Sequence, residues 1–140
     1  MSDFFGMLRT DGTAVEQRLL DQAAERLCFR GPDRVQTWAK DGLGTCFAYL
    51  ETRTRRQSRS QPVWLGERYT LLGEVRLDAR KELIGELQEN RQPAEEDCSD
   101  TELLLLAWSV WGEAALIKLL GDFSFGPWDA SAILASPNIL

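Results

Sequence analysis

The chain has 140 residues, a formal net charge of −6 and no histidine. That length suits one domain with a core large enough to need no disulfide or metal staple. The charge argues against a nucleic-acid binder, and the missing histidine excludes His-based acid–base catalysis, Ser-His and Cys-His dyads and His-containing metal sites. Cys28, Cys46 and Cys98 are odd in number and widely spaced, so neither a zinc ribbon nor a disulfide framework is supported. A reducing cytoplasm is the expected compartment. No stretch approaches the ~20 apolar residues of a membrane span, and the N-terminus has no signal-peptide core. Met1 precedes a small residue, so its removal would expose Ser2.

In chain order, Phe4 to Leu8 is a short apolar run that reads as a buried strand. Arg9 to Gly12 reads as a turn. Thr13 and Glu16 have capping-box spacing and predict a helix with Val15, Leu19, Ala23 and Leu27 on one face, ending near Cys28. From Arg34 to Glu51 the alternation about Asp41-Gly42 predicts a hairpin. Thr52 to Gln61, with Arg53, Arg55, Arg56 and Arg59, reads as an exposed basic loop. Val63–Leu65 and Tyr69–Leu77 predict a second hairpin about Gly66-Glu67. Asp78 is the expected cap of a helix carrying Leu83, Ile84 and Leu87, and the polar run Asn90 to Asp97 is a loop. Ser99 to Glu102 is a second capping box, opening an apolar helix that Gly112 breaks. A further helical stretch should end at Gly121 as its C′ residue. Phe123–Phe125 reads as a strand and Ala132–Ala135 as a weaker one. Strands in runs with helices grouped between them favour an antiparallel α+β or layered α/β arrangement over a doubly wound parallel sheet.

Composition and spacing alone show no enzyme site. Cys46 reads as a buried inert thiol, and Cys28, beside Arg26 and Arg30, has no visible base. Asp122 and Asp129 fit caps or turns, and Trp108 and Trp111 fit core or interface packing. There is no phosphate-binding glycine loop, and no metal or cofactor is implied.

Several segments together carry more. Phe29-Arg30-Gly31-Pro32-Asp33, Leu43-Gly44, Gln61-Pro62, Ser99-Asp100-Thr101-Glu102, Trp111-Gly112, Leu120 to Phe125 and Trp128-Asp129 follow one order and spacing. The series, from about Phe4 to Asp129, resembles the N-terminal glutaminase domain of asparagine synthetases, a class II glutamine amidotransferase of the N-terminal-nucleophile (Ntn) hydrolase fold. The resemblance implies a four-layer α-β-β-α sandwich of two antiparallel sheets. It also implies an N-terminal cysteine nucleophile whose own amine is the base, and a second, ATP-dependent synthetase domain that uses the released ammonia. The expected division is a glutaminase-like domain over residues 1–129, incomplete at its C-terminus, and a divergent tail over 130–140, as a truncated or frameshifted reading frame would produce. Gly126-Pro127 is unexpected in a strand that should stay paired.

In this register Phe5 stands at the nucleophile and Phe47 at the substrate-gripping arginine. Glu74-Val75 stands at the Asn-Gly oxyanion pair, where a carboxylate would repel the developing charge. Asp100 alone keeps its family role, binding the substrate amino group, and is expected to be vestigial. The stretch Arg76-Leu77-Asp78-Ala79-Arg80-Lys81-Glu82-Leu83 resembles the lasso-peptide macrolactam synthetases among asparagine synthetase-like enzymes, where the nucleophile is often lost. The expectation is a degenerate, inactive domain with no catalytic residue, acting as scaffold for an ATP-dependent synthetase domain or subunit. The alternatives are a standalone interaction module docking through the arginine loop or the Trp108/Trp111 region, and an amidohydrolase using Ser2.

Overall fold

The computed structural model describes residues 2–30, 32–50 and 60–131. The Arg53–Arg59 loop and the strand expected at Ala132–Ala135 lie outside the described residues. In chain order the elements are β1 (Asp3–Leu8), α1 (Gln17–Leu27), β2 (Arg34–Lys40), β3 (Leu43–Tyr49), β4 (Val63–Leu65), β5 (Tyr69–Asp78), α2 (Arg80–Glu89), α3 (Asp100–Trp111), α4 (Ala115–Lys118) and β6 (Leu120–Asp129). Three-residue 3-10 turns follow α1 and α3. The strands form two antiparallel sheets, ordered β1-β3-β2 and β4-β5-β6.

The central strands show how the layers stack. Every residue of β3 is buried, because α1 covers one face and the second sheet the other. On β5, Leu71, Val75 and Leu77 pack into one core with Leu83, Ile84 and Leu87 of α2 and Leu103 to Ala107 of α3, while Leu72 joins Phe47 and Tyr49 between the sheets. Alternation along one strand thus feeds two cores, and the result is the four-layer α-β-β-α sandwich. Aromatic pairs close its sides. Trp38 of β2 stacks on Trp64 of β4 with ring centroids 5.6 Å apart. On the other side Trp128 of β6 lies over Gly6 of β1, where an added Cβ would sit 2.8 Å from its ring.

The Asp41-Gly42 hairpin forms with both residues at positive φ, 51° and 81°, as a two-residue type I′ turn requires. The hairpin about Gly66-Glu67 and the Ser99/Glu102 capping box also form. Other local expectations are overturned. Thr13 does not cap α1: its N–H and hydroxyl both donate to Asp11 Oδ1, at 3.0 and 2.6 Å, and α1 starts after Glu16 without a side-chain cap. A short-range side-chain bond has outcompeted the helix start. Val15, before the helix, is buried, and within α1 Leu20 is fully enclosed while Leu19, Ala23, Ala24 and Leu27 are half-buried.

Asp78 does not cap α2 either. It remains in β5, paired with Arg76, and Ala79 in a left-handed conformation (φ 53°) makes the turn. Gly121 is not a helix terminator, since α4 ends at Lys118 and Gly121 is the second residue of β6. Its φ of 148° brings it against Arg76, whose carbonyl oxygen would lie 2.0 Å from any Cβ. Pro127 keeps its register opposite Leu71. Among the described residues β6 is an edge strand, where alternate N–H groups have no ladder partner to lose.

Candidate functional site

The candidate site lies where the two sheets part, at the C-terminal end of β3 and the middle of β5. Strand alternation sets its walls. Phe4 and Phe47, opposite each other in the ladder, stack between the sheets, so Ser2 and Gly6 share that inner face and Phe5 faces the α1 side. The ladder places Phe5 opposite Cys46, and Phe5 is 38% exposed. Ser2 is buried, its Oγ accepting the Leu50 N–H at 3.0 Å.

A small cavity here is lined by Phe47, Tyr49, Gln61, Gly73, Glu74, Val75 and Thr101. Its volume is about 10 Å³, at the limit for one water molecule. Side chains of the chain itself fill the space around it. Gln61 Nε2 donates to the Gly73 carbonyl at 3.0 Å, and Gly73 N–H points back at Gln61 Oε1 at 3.4 Å. Tyr49 donates its hydroxyl to Gln36 Oε1 at 2.7 Å, and burial pushes the Tyr49 phenol above its ordinary range. These bonds satisfy polar groups that enclosure would otherwise leave unpaired.

Asp100 lies at the first turn of α3, buried apart from 7% of its surface. Its Oδ2 accepts the Leu77 N–H at 3.0 Å, and its Oδ1 takes the Arg80 guanidinium. Arg80 also donates to the carbonyls of Glu96 and Cys98, at 3.0 and 2.7 Å. One arginine therefore ties the start of α2 to the start of α3 and to the loop between them, with its charge matched by Asp100, whose carboxylate the positive end of the α3 dipole also favours. Asp100 thus complements the first turn of α3 and carries an ion pair besides.

Of the positions singled out in the sequence, Phe47, Glu74 and Val75 come together at the cavity, and Asp100 lies on the neighbouring helix. Phe5 does not line it. Cys46 is enclosed under α1, and burial, with Cys28 adding to it, raises its thiol from the usual 9.0 to about 11. Trp108 packs edge-on against Phe125, and Trp111 lies under the Lys118 ammonium. Asp122 and Asp129 hold Arg76 and Arg68, at 2.7 and 3.0 Å, and Asp129 Oδ1 also accepts the Ser131 N–H at 3.0 Å, a turn role of the kind expected of it. Arg80 and Gln61 had been quoted only as parts of motifs. No local pattern pointed to Arg80; once the fold encloses the Asp100 carboxylate, such a group calls for a cation. Among the described residues no group of three or more Cys, Asp or Glu side chains is placed to hold a metal ion, and no helix is long and apolar enough to cross a membrane.

The glutamine amidotransferase domain family matches residues 1–134. The chain belongs to that family. It is also similar to asparagine synthetase [glutamine-hydrolyzing] 3 of Bacillus subtilis (strain 168), 28% identical over 117 residues. That match covers 81% of this chain and 19% of the relative, so the chain spans about a fifth of that protein's length. The two-sheet sandwich agrees with the Ntn-hydrolase-like fold. The interior of this amidotransferase domain is closed by an aromatic at Phe47, the half-buried Arg80 on Asp100 and the Gln61 side chain on Gly73.

Proposed function

We propose that this glutamine amidotransferase domain is catalytically silent and serves as the scaffold half of an ATP-dependent, asparagine synthetase-like amide-forming enzyme. The synthetase chemistry would reside in a separate domain or subunit. The observation that carries the reading is the closure of Asp100 by Arg80. A carboxylate that is to receive a substrate ammonium must have a free side facing the pocket, and here an internal cation and a backbone N–H take both oxygens. The water-sized cavity supports the same conclusion, as does the absence of a nucleophile at Phe5. The parent reaction would be asparagine or peptide macrolactam formation, the second resting on the resemblance of the Arg76–Leu83 stretch, whose two arginines also form ion pairs in the fold.

The test is ammonia and glutamate release from glutamine by the purified chain. None above the no-protein control is expected. Turnover that disappears in Asp100→Asn would overturn the proposal.

One observation favours a second reading. Ser2, and not Phe5, lies on the inner face beside the cavity strands, with its oxygen already hydrogen-bonded. A serine freed of Met1 would offer both nucleophile and amine. A glutamine-like diazoketone followed by intact mass separates the two readings, since an adduct on Ser2 belongs only to the active enzyme.

A further inference from the structure

Three large apolar side chains stand in solvent at the start of β6: Leu116, Ile117 and Leu120, exposed by 42%, 90% and 62%. Helical spacing sets Glu113 on the Ile117 side of the turn, and the ladder sets Asp78 opposite Leu120. Asp122 follows two residues along the same face, and Glu86 lies alongside, bonded to Lys118 at 2.7 Å. The rim therefore holds the carboxylates Glu86, Asp78, Asp122 and Glu113. Against them stand two cations, Lys118 and Arg76, already spent on Glu86 and on Asp78 and Asp122. An apolar centre with an acidic rim has the anatomy of a protein-binding surface.

We infer that this patch docks a protein segment that presents an apolar anchor ringed by lysine or arginine. One other occupant is disfavoured by what surrounds it. A second copy would bring the same acidic rim, on a chain of net charge −6, and like charges facing each other oppose association. The inference stands apart from catalytic silence, because none of these residues lines the cavity.

The probe is a fluorescent Leu/Lys amphipathic peptide, titrated by anisotropy against the full chain, with a Leu/Glu peptide of the same pattern as the control. Binding of the Leu/Lys peptide only, weakening as salt rises, is expected. Ile117→Ser should weaken it about tenfold, as loss of a central anchor does. Glu113→Lys should weaken it several-fold while leaving the urea midpoint unchanged, which keeps the test independent of folding. Equal binding of the Leu/Glu peptide, or no response to Ile117→Ser, would overturn the inference. So would a sedimentation dimer that Ile117→Ser abolishes, because the occupant would then be a second copy.

Discussion

Replacing Arg80 by alanine tests the physical basis of the closed site. The side chains of Arg80 and Asp100 are 20% and 10% exposed. Breaking a fully buried pair costs about 3–5 kcal/mol. Here Asp100 keeps the Leu77 N–H and the α3 terminus, and Arg80 touches solvent, so the expected loss for Arg80→Ala is about 2–3 kcal/mol. Part of it comes from the Glu96 and Cys98 carbonyls, which lose their donor. Asp100→Asn should cost about 2 kcal/mol, and the double variant less than the sum, leaving a coupling of about 1–2 kcal/mol. With a urea m-value of about 2 kcal/mol/M, Arg80→Ala moves the midpoint down by about 1–1.5 M. The single variant also opens Asp100 to outside cations, so added guanidinium at low millimolar concentration should recover part of the loss in a thermal melt. Additive costs with no coupling, or equal guanidinium effects on wild type and variant, would refute the assignment of Arg80 as the internal partner of Asp100.

Further outcomes follow from single positions. Gly6→Ala drives a methyl into the Trp128 ring and should destabilise by about 1–3 kcal/mol in the same urea assay. Ala79→Gly relieves a left-handed alanine and should stabilise by about 0.5–1 kcal/mol. For Cys46, whose folded pKa of about 11 lies above the usual 9.0, the native state holds its proton longer than the unfolded chain. Its contribution is therefore complete below about pH 9 and is lost between pH 9 and 11, and Cys46→Ala should flatten that part of the stability profile. The Thr13 hydroxyl and N–H, with Arg9 assisting, hold the Asp11 carboxyl down at about 2 from its usual 3.8. An NMR titration of Thr13→Ala should show it rising toward the usual value.

The layered fold was legible because its signals are local and agree with each other. The Asp41-Gly42 turn, the Ser99 capping box and the alternation of β2 and β5 each stand within a few residues. What failed was competition at short range. Thr13 had two partners available, the helix N–H groups from which its hydroxyl would accept and the Asp11 carboxylate to which it donates, and sequence spacing gives no measure of which wins. Asp78 likewise had Arg76 beside it in the strand. The site was legible only as a set of positions. That Asp100 would be closed by Arg80, twenty residues earlier, depends on how the starts of α2 and α3 meet beneath β5, which no local pattern encodes. The inward position of Ser2 follows from strand alternation counted back from Phe4, and was readable once Phe4, and not Phe5, was known to face the second sheet.

Among the described residues each sheet is made from one run of sequence, the first ending at Tyr49 and the second at Asp129. Synthesis therefore delivers the first sheet with Phe4, Phe47 and Tyr49 on a face that has nothing to rest on. At ribosomal speeds the intervening eighty or so residues take about 4–16 s. During that interval the nascent chain presents an aromatic surface and unpaired strand edges, the combination that recruits chaperones or neighbouring chains. Trp128, made about 120 residues after Gly6, is the side chain that covers it.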